Sequence, residues 1–138
     1  MLNFLVIEDD ESIRKIMGWV LDSLGYPSVL KATGEEALTD PQVVDHEFSV
    51  LWVDLSLPGM SGEEFVKQWI SRIARSSPLP DIIFCSALQE GGLRVSAAQL
   101  QLGYDQARMY FLPKPFRLDE FERLVQKINA SRLALKSA

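Results

Sequence analysis

Five short apolar segments alternate along the chain with segments whose apolar residues recur at helical spacing. The predicted strands cover residues 3–7, 28–32, 48–53, 81–85 and 109–112. The predicted helices cover residues 11–24, 33–44, 61–73, 91–102 and 117–133. Unbroken apolar runs are typical of parallel strands in a sheet covered on both faces, and right-handed crossovers wind such a sheet in two directions. The sequence therefore predicts an α/β fold, a doubly wound five-stranded parallel sheet with five helices.

The length suits one domain. Chains near 150 residues bury roughly 68–70% of their unfolded surface, so a chain of 138 residues needs no disulfide for a stable core. The single cysteine, Cys85, lies in an apolar run, where we expect a small buried residue. We expect one domain over residues 1–130 and a tail over 131–138 that frays or begins a linker.

Charge and hydropathy exclude two classes of function for this domain. The formal net charge is −5 without a basic cluster, which argues against direct nucleic-acid binding. No apolar segment approaches the roughly 20 residues that span a bilayer, and the N-terminus lacks the basic region of a signal peptide. We therefore expect a cytoplasmic protein with no membrane association.

Polar residues follow four of the five predicted strands. Ligands of doubly wound sheets bind beyond the carboxyl ends of the strands. These ends carry Glu8, Asp9 and Asp10 after the first strand, Asp54 after the third, Ser86 after the fourth and Lys114 after the fifth. If the strand order is 2-1-3-4-5, all four ends are neighbours in space and their side chains share one edge.

Carboxylates gathered at such an edge repel one another. Two charges ~4 Å apart cost about 4 kcal/mol at an effective dielectric constant of about 20, so either one acid is protonated or a cation binds. Oxygen donors alone suit Mg²⁺, and the only histidine, His46, is expected on the surface. With a phosphate group held by the cation, Lys114 and Ser86, Asp54 could attack phosphorus and form an acyl phosphate.

Each of these residues also has a purely structural interpretation. The acids Glu8 to Asp10 could cap the first helix, and Asp54 could form a turn ahead of Pro58. Ser86 could be a cap and Lys114 a surface lysine. Their joint occurrence at neighbouring strand ends favours a shared site.

Four segments carry a resemblance to a known family. They are VIEDDESIR (6–14), VDLSLPGMSG (53–62), FCSA (84–87) and FLPKPF (111–116). Over about residues 2–130 the chain resembles the receiver domains of two-component response regulators. The resemblance implies a flavodoxin-like sheet in the order 2-1-3-4-5.

The resemblance assigns chemistry to the acids. It implies that Asp54 accepts a phosphoryl group from a histidine kinase. It also implies that Asp9 ligates Mg²⁺ (or Mn²⁺) directly, that Glu8 does so through water, and that the backbone carbonyl of Ser56 completes the protein ligands. Lys114 is expected to pair with the phosphoryl group.

The resemblance also implies a conformational switch. Ser86 matches the hydroxyl that turns towards the phosphoryl group, and Phe111 matches the switch aromatic, here without a hydroxyl group. The Lys114–Pro115 peptide bond is expected to be cis. The segment 103–111 is longer than the family's usual link into the last strand. The resemblance therefore does not predict the geometry of the surface that contacts partners.

Such a domain would be a signalling protein that assists its own phosphoryl transfer and autodephosphorylation, not an enzyme. The implied partners are a sensor histidine kinase or phosphotransfer protein, and an effector protein or fused output domain. A homodimer through residues 91–102, 109–112 and 117–133 is a further expectation.

Three other functions fit parts of the pattern. A haloacid-dehalogenase-like phosphohydrolase would need a second acid where Ser56 stands. A nucleotide-binding module would need a glycine-rich loop after the first strand. A receiver-like docking domain without phosphorylation would have lost site residues that are present here.

Overall fold

A parallel sheet in the order β2-β1-β3-β4-β5 forms the centre of the computed structural model, which describes residues 1–73, 79–87 and 108–137. The elements are β1 (Phe4–Ile7), α1 (Glu11–Ser23), β2 (Ser28–Lys31), α2 (Gly34–Thr39), α3 (Pro41–Val44), β3 (Val50–Asp54), α4 (Gly62–Ile73), β4 (Asp81–Ala87), β5 (Met109–Lys114) and α5 (Leu118–Ser137). The predicted sheet and strand order are confirmed.

Alternate residues of each strand face two separate cores. On one face, Leu51 and Val53 of β3 pack with residues of α2, α3 and α4. On the other face, Val50 and Trp52 pack with residues of α1 and α5. This alternation follows from the two-residue period of a strand. Apolar cores cover both faces of the sheet, so the charged groups that follow the strands lie at the ends of the sheet.

The predicted helix 33–44 is wrong as one continuous element. The structure ends α2 at Thr39 and begins α3 at Pro41. Proline lacks the N–H that a helix interior needs, and its ring clashes with the preceding turn. The side chain of Asp40 accepts a hydrogen bond from the Gln42 N–H at 2.9 Å and caps the new helix.

Other predictions fall at or beyond the edges of the described segments. The predicted helix 91–102 and most of the link 103–111 lie outside the described residues. The last helix continues past residue 130 to Ser137, and the domain boundary at 130 stays a prediction. In the described part of the chain, no helix is both long and apolar enough to cross a membrane.

Glycine at position 62 brings the start of α4 against the end of β3. A Cβ atom at Gly62 would overlap the backbone carbonyl of Asp54 and the side chain of Val53. Ser61 caps this helix by accepting a hydrogen bond from the Glu64 N–H at 3.2 Å. The β3–α4 connection therefore closes tightly over the end of β3, which fixes the backbone of Asp54.

Candidate functional site

Lys114 joins two acids from distant parts of the chain. Its ammonium group donates hydrogen bonds to Glu8 Oε1 at 2.5 Å and to Asp54 Oδ2 at 2.9 Å. Glu8 follows β1 and has no exposed surface, and Asp54 ends β3 with 3% of its surface exposed. The structure thus brings together three of the predicted residues at the carboxyl edge of the sheet.

The three consecutive acids after β1 have different environments. Glu8 is buried, while Asp9 and Asp10 are exposed. Asp10 caps α1 by accepting a hydrogen bond from the Ile13 N–H at 3.0 Å. Oxygen atoms of Glu8, Asp9 and Asp54 all lie within 4.8 Å of one another. The capping interpretation is therefore correct for Asp10, whereas Glu8 and Asp9 belong to the cluster with Asp54.

Asp54 also organises the turn that follows it. Its Oδ1 accepts a hydrogen bond from the Ser56 N–H at 2.8 Å. This is the turn geometry that the structural interpretation of Asp54 predicted. Because the second carboxylate oxygen faces Lys114, the turn holds the carboxylate in place within the cluster. The role of the Ser56 carbonyl as a ligand stays a prediction.

Burial and close contact give Glu8 and Asp54 different proton affinities. Burial raises the pKa of Glu8 to about 8, and its hydrogen bond with Asp54 adds to that rise. Burial would also raise the pKa of Asp54, but hydrogen bonds with Glu8, Lys114 and the Ser56 N–H outweigh it and lower this pKa. Near neutral pH the pair therefore holds one proton, mainly on Glu8, and Asp54 is ionised.

Lys114 remains charged in this setting. Burial alone would lower the pKa of its ammonium group, but hydrogen bonds to Glu8 and Asp54 outweigh burial and raise it. One positive charge thus faces three carboxyl groups. The cluster is short of positive charge, which is the condition that favours a divalent cation.

The donor set fits a hard divalent cation. It consists of oxygen atoms alone, the ligands that Mg²⁺ prefers. Glu8 Oε2 is buried and has no hydrogen-bond partner among the described residues. An ionised oxygen buried without a donor is unfavourable, so this atom favours either a proton, as in the hydrogen bond of Glu8 with Asp54, or a cation.

Ser86 and Phe111 lie on one face of the sheet. Phe84 is in register with Phe111, and Ser86 follows two residues later, so all three share a face. Phe111 is half-buried against the core that includes Phe84. The Ser86 hydroxyl donates to the Ala87 carbonyl at 3.3 Å. The structure places both predicted switch residues on that face, and their roles stay predictions.

A groove adjoins the cluster on the side of Lys114. Its volume is about 450 Å³, and it is lined by Ile13, Ile16, Ala87, Lys114, Pro115, Phe116 and Leu118. The Lys114–Pro115 bond is cis, as the resemblance implied. The groove was not predicted, because it forms between α1 and the segment after β5, which are far apart in sequence.

A residue of α1 that the sequence did not single out also touches this edge. Arg14 donates to the carbonyl oxygens of Glu8 and Asp9 at 2.8 and 3.3 Å. Its place one turn after the Asp10 cap could have suggested a side chain that reaches back to the loop.

Comparison with known proteins finds one matching family model and several relatives of similar sequence. A family model described as the response regulator receiver domain matches residues 4–128. The sensor histidine kinase AtsR of Burkholderia thailandensis is 31% identical over 131 residues, which cover 94% of this chain and 20% of that relative. The transcriptional regulator NtrC of Salmonella typhimurium is 31% identical over 122 residues, which cover 88% and 24%. The chain spans about a fifth to a quarter of the length of these relatives.

Solved structures share the fold. The chemotaxis protein CheY4 of Vibrio cholerae has a TM-score of 0.68 and 27% identity, covering 93% of this chain and 98% of that protein. A response regulator from Clostridium difficile has a TM-score of 0.73 and 18% identity, covering 94% and 97%. The second similarity bears on the fold alone.

Proposed function

The chain belongs to the response regulator receiver domain family, and from that premise we propose that Asp54 is its phosphoacceptor. Receiver domains act in two-component signalling and are not conventional enzymes. The observation that supports the proposal best is the Lys114 ammonium group, which contacts both Asp54 and Glu8 at the carboxyl edge of the sheet.

The chemistry is transfer of a phosphoryl group to the Asp54 carboxylate. One carboxylate oxygen attacks phosphorus and forms a P–O bond. The P–N bond to the donor imidazole breaks, its electron pair stays on the imidazole nitrogen, and that nitrogen takes up a proton. The lowered pKa of Asp54 keeps the carboxylate ionised for this attack. Lys114 pairs with the incoming phosphoryl oxygens, and the Ser56 N–H keeps the carboxylate oriented.

The acids of the cluster hold a divalent cation in this proposal. Asp9 and Asp54 would ligate it directly, Glu8 would do so through water, and the Ser56 carbonyl would complete the protein ligands. Bound Mg²⁺ or Mn²⁺ would offset the phosphoryl charge and orient its oxygens. A bound cation would favour the ionised form of Glu8, because a nearby positive charge favours a carboxylate over a carboxylic acid.

Phosphorylation changes what the Ser86 hydroxyl can bind. The added phosphoryl group brings about −1.5 to −2 charges and new acceptor oxygens. We propose that Ser86 exchanges the Ala87 carbonyl for a phosphoryl oxygen and that Phe111 moves into the space Ser86 leaves. These two side chains lie on one face of β4 and β5, so a single local shift can involve both.

The aspartyl phosphate is then lost by the domain's own hydrolysis. Water attacks phosphorus, the P–O bond to Asp54 breaks, and inorganic phosphate leaves with the carboxylate regenerated. A sensor histidine kinase or phosphotransfer protein supplies the phosphoryl group, and an effector protein or fused output domain receives the signal. We also propose a cytoplasmic location, and dimerisation through β5, α5 and residues 91–102.

Intact-mass measurement after incubation with acetyl phosphate and MgCl₂ tests the phosphoacceptor. We expect the wild-type chain to gain the mass of one phosphoryl group and Asp54→Asn to gain none. Asp10→Asn is the matched control, because Asp10 is a nearby acid that caps α1 and asparagine is an equally good cap. This control should be phosphorylated like wild type.

Two results would contradict the proposal. One is a phosphoryl adduct that persists in Asp54→Asn. The other is steady turnover of a small phosphate ester by the wild-type chain without adduct, which is the behaviour of a phosphohydrolase.

A further inference from the structure

We propose that Arg14 is a positioning residue that holds the backbone of Glu8 and Asp9 in the bend which cation binding requires. The inference rests on the proposed function, since it concerns the cation held by the same acids. Arg14 touches none of the reacting groups in the structure, so its effect would pass through the two acids.

Two consecutive acids reach one ion only if the chain departs from strand geometry. Successive side chains of a regular strand point to opposite faces. Here β1 ends at Ile7, Glu8 is buried and Asp9 is exposed, yet their carboxylate oxygens lie within 4.8 Å of each other and of Asp54. When both acids are ionised, as cation binding requires, their charges repel each other at that separation. The bend therefore needs support from outside the pair.

Arg14 supplies that support from α1. Its Nη1 donates to the carbonyl oxygen of Glu8 at 2.8 Å and to that of Asp9 at 3.3 Å. On the other side, the Glu8 N–H donates to the Lys31 carbonyl of β2 at 3.0 Å. The backbone of Glu8 is thus held between β2 and α1.

The choice of acceptor atoms leaves the carboxylates available. Both hydrogen bonds of the Arg14 guanidinium to described residues go to carbonyl oxygens. Lys114, by contrast, occupies one carboxylate oxygen of Glu8 and one of Asp54. Arg14 therefore orients the ligand acids without competing with a cation for their oxygens. Partners that orient metal ligands typically change metal affinity about 10–100-fold when they are removed.

The chain offers a matched control for this arginine. Arg72 of α4 donates from its Nη1 to the Leu38 carbonyl of α2 at 2.9 Å, a bond of the same type. It connects two helices and involves none of the acids. Loss of the Arg72–Leu38 hydrogen bond should lower stability as loss of the Arg14 hydrogen bonds does, but it should not change the affinity for the cation.

The test measures the apparent Kd for Mg²⁺ from the rise of the unfolding temperature with MgCl₂, relative to the same protein in EDTA. We expect Arg14→Met to weaken Mg²⁺ binding about 10-fold. Arg14→Lys should weaken it less, because an ammonium group can reach one carbonyl but lacks the fixed geometry of guanidinium. Arg72→Met should bind Mg²⁺ within about twofold of wild type, whatever its stability in EDTA.

Phosphorylation by acetyl phosphate gives a second readout. For Arg14→Met the MgCl₂ concentration that gives half-maximal uptake should rise about 10-fold, while the rate at saturating MgCl₂ returns close to the wild-type rate. A positioning role predicts this separation, whereas a general loss of folded protein would lower the rate at every concentration.

Unchanged Mg²⁺ affinity in both Arg14 variants would overturn this inference alone. Equal weakening in Arg14→Met and Arg72→Met would also overturn it, because the effect would then follow stability. A wild-type chain with no response to MgCl₂ would overturn the proposed function, and this inference with it.

Discussion

The sheet carries a buried aspartate at each end, and the two differ in their supply of positive charge. Asp81 begins β4 and has 4% of its surface exposed, close to the 3% of Asp54 at the end of β3. Asp81 accepts hydrogen bonds from Arg108 Nε at 3.3 Å and from Arg132 Nη1 at 2.9 Å. Each of its oxygens therefore has a cationic donor of its own.

Asp54 shares its single cation with another acid. Lys114 bonds both Asp54 and Glu8, and Asp9 adds a third carboxyl group within 4.8 Å. At one end of the sheet two cations thus bond one carboxylate. At the other end, Lys114 is the one cation among the described residues that bonds the carboxylates of the cluster, since Arg14 bonds only backbone carbonyls. Arg108 and Arg132 also connect β4 with the start of β5 and with α5, so the Asp81 cluster joins elements of the fold.

The comparison shows that burial of an acid is a poor guide to its function. Removing a buried acid whose charge is matched by cations leaves those cations unpaired, whereas a buried acid that shares one cation with other acids has capacity left for a further cation. The number of cations and donors around the carboxylate separates the two cases. That difference should appear in the stability of the chain.

The largest expected change in the free energy of unfolding is at Asp81, at the end of the sheet opposite the candidate site. Asp81→Asn should lower the free energy of unfolding by about 2–3 kcal/mol, because two arginines lose the acid between them. The value lies below that for fully buried pairs, since the side chains of Arg108 and Arg132 are 25% and 23% exposed. Urea denaturation in EDTA measures the change, and a loss below about 1 kcal/mol would show that solvent replaces this acid.

The next effect is a dependence of stability on pH that arises at Glu8. Burial raises the pKa of Glu8 from 4.5 to about 8 in the folded chain. The folded state then holds a proton that the unfolded state has lost, so stability falls as pH rises towards 8. Between about pH 6.5 and 8.5 in EDTA the free energy of unfolding should fall by about 1–2 kcal/mol.

Glu8→Gln removes the titrating group and should flatten this pH dependence. The lowered pKa of Asp54 acts in a different range, since its contribution is lost only as the solution becomes acidic. A variant with the same slope as wild type between pH 6.5 and 8.5 would show that another group binds the proton.

The smallest effect is expected for Asp54→Asn in EDTA. Lys114 can still pair with Glu8, which ionises more readily once the neighbouring carboxylate is gone. Asparagine Oδ1 can accept from the Ser56 N–H as aspartate does. The free energy of unfolding should therefore change by less than about 1 kcal/mol. A loss as large as that of Asp81→Asn would mean that both ends of the sheet are equally structural.

Much of the fold follows from local patterns in the sequence. Apolar runs and helical periodicity identified the strands and helices of the described residues, and Ser61 and Thr33 cap two of these helices. The exception is the helix predicted over 33–44, which breaks before Pro41 because proline lacks the backbone N–H of a helix interior. The strand ends correctly indicated where Glu8, Asp54 and Lys114 would meet.

The features that could not be predicted from the sequence depend on contacts between distant segments. It could not tell which of the acids Glu8, Asp9 and Asp10 would be buried, because burial depends on α1 and β2 folding around the loop. Nothing near Asp81 indicated its pairing with Arg108 and Arg132, which are 27 and 51 residues away. Such partners become visible only when strands and helices are packed together.

At the carboxyl end of the sheet the three carboxyl groups of Glu8, Asp9 and Asp54 outnumber the cation that pairs with them, Lys114, and we propose that this end takes up a divalent cation. The most direct test of this claim is the rise in unfolding temperature on replacing EDTA with MgCl₂, measured for wild type, Asp54→Asn and Asp81→Asn. We predict a rise for wild type, an equal rise for Asp81→Asn, and loss of most of the rise for Asp54→Asn. No rise in wild type, or an undiminished rise in Asp54→Asn, would contradict the claim.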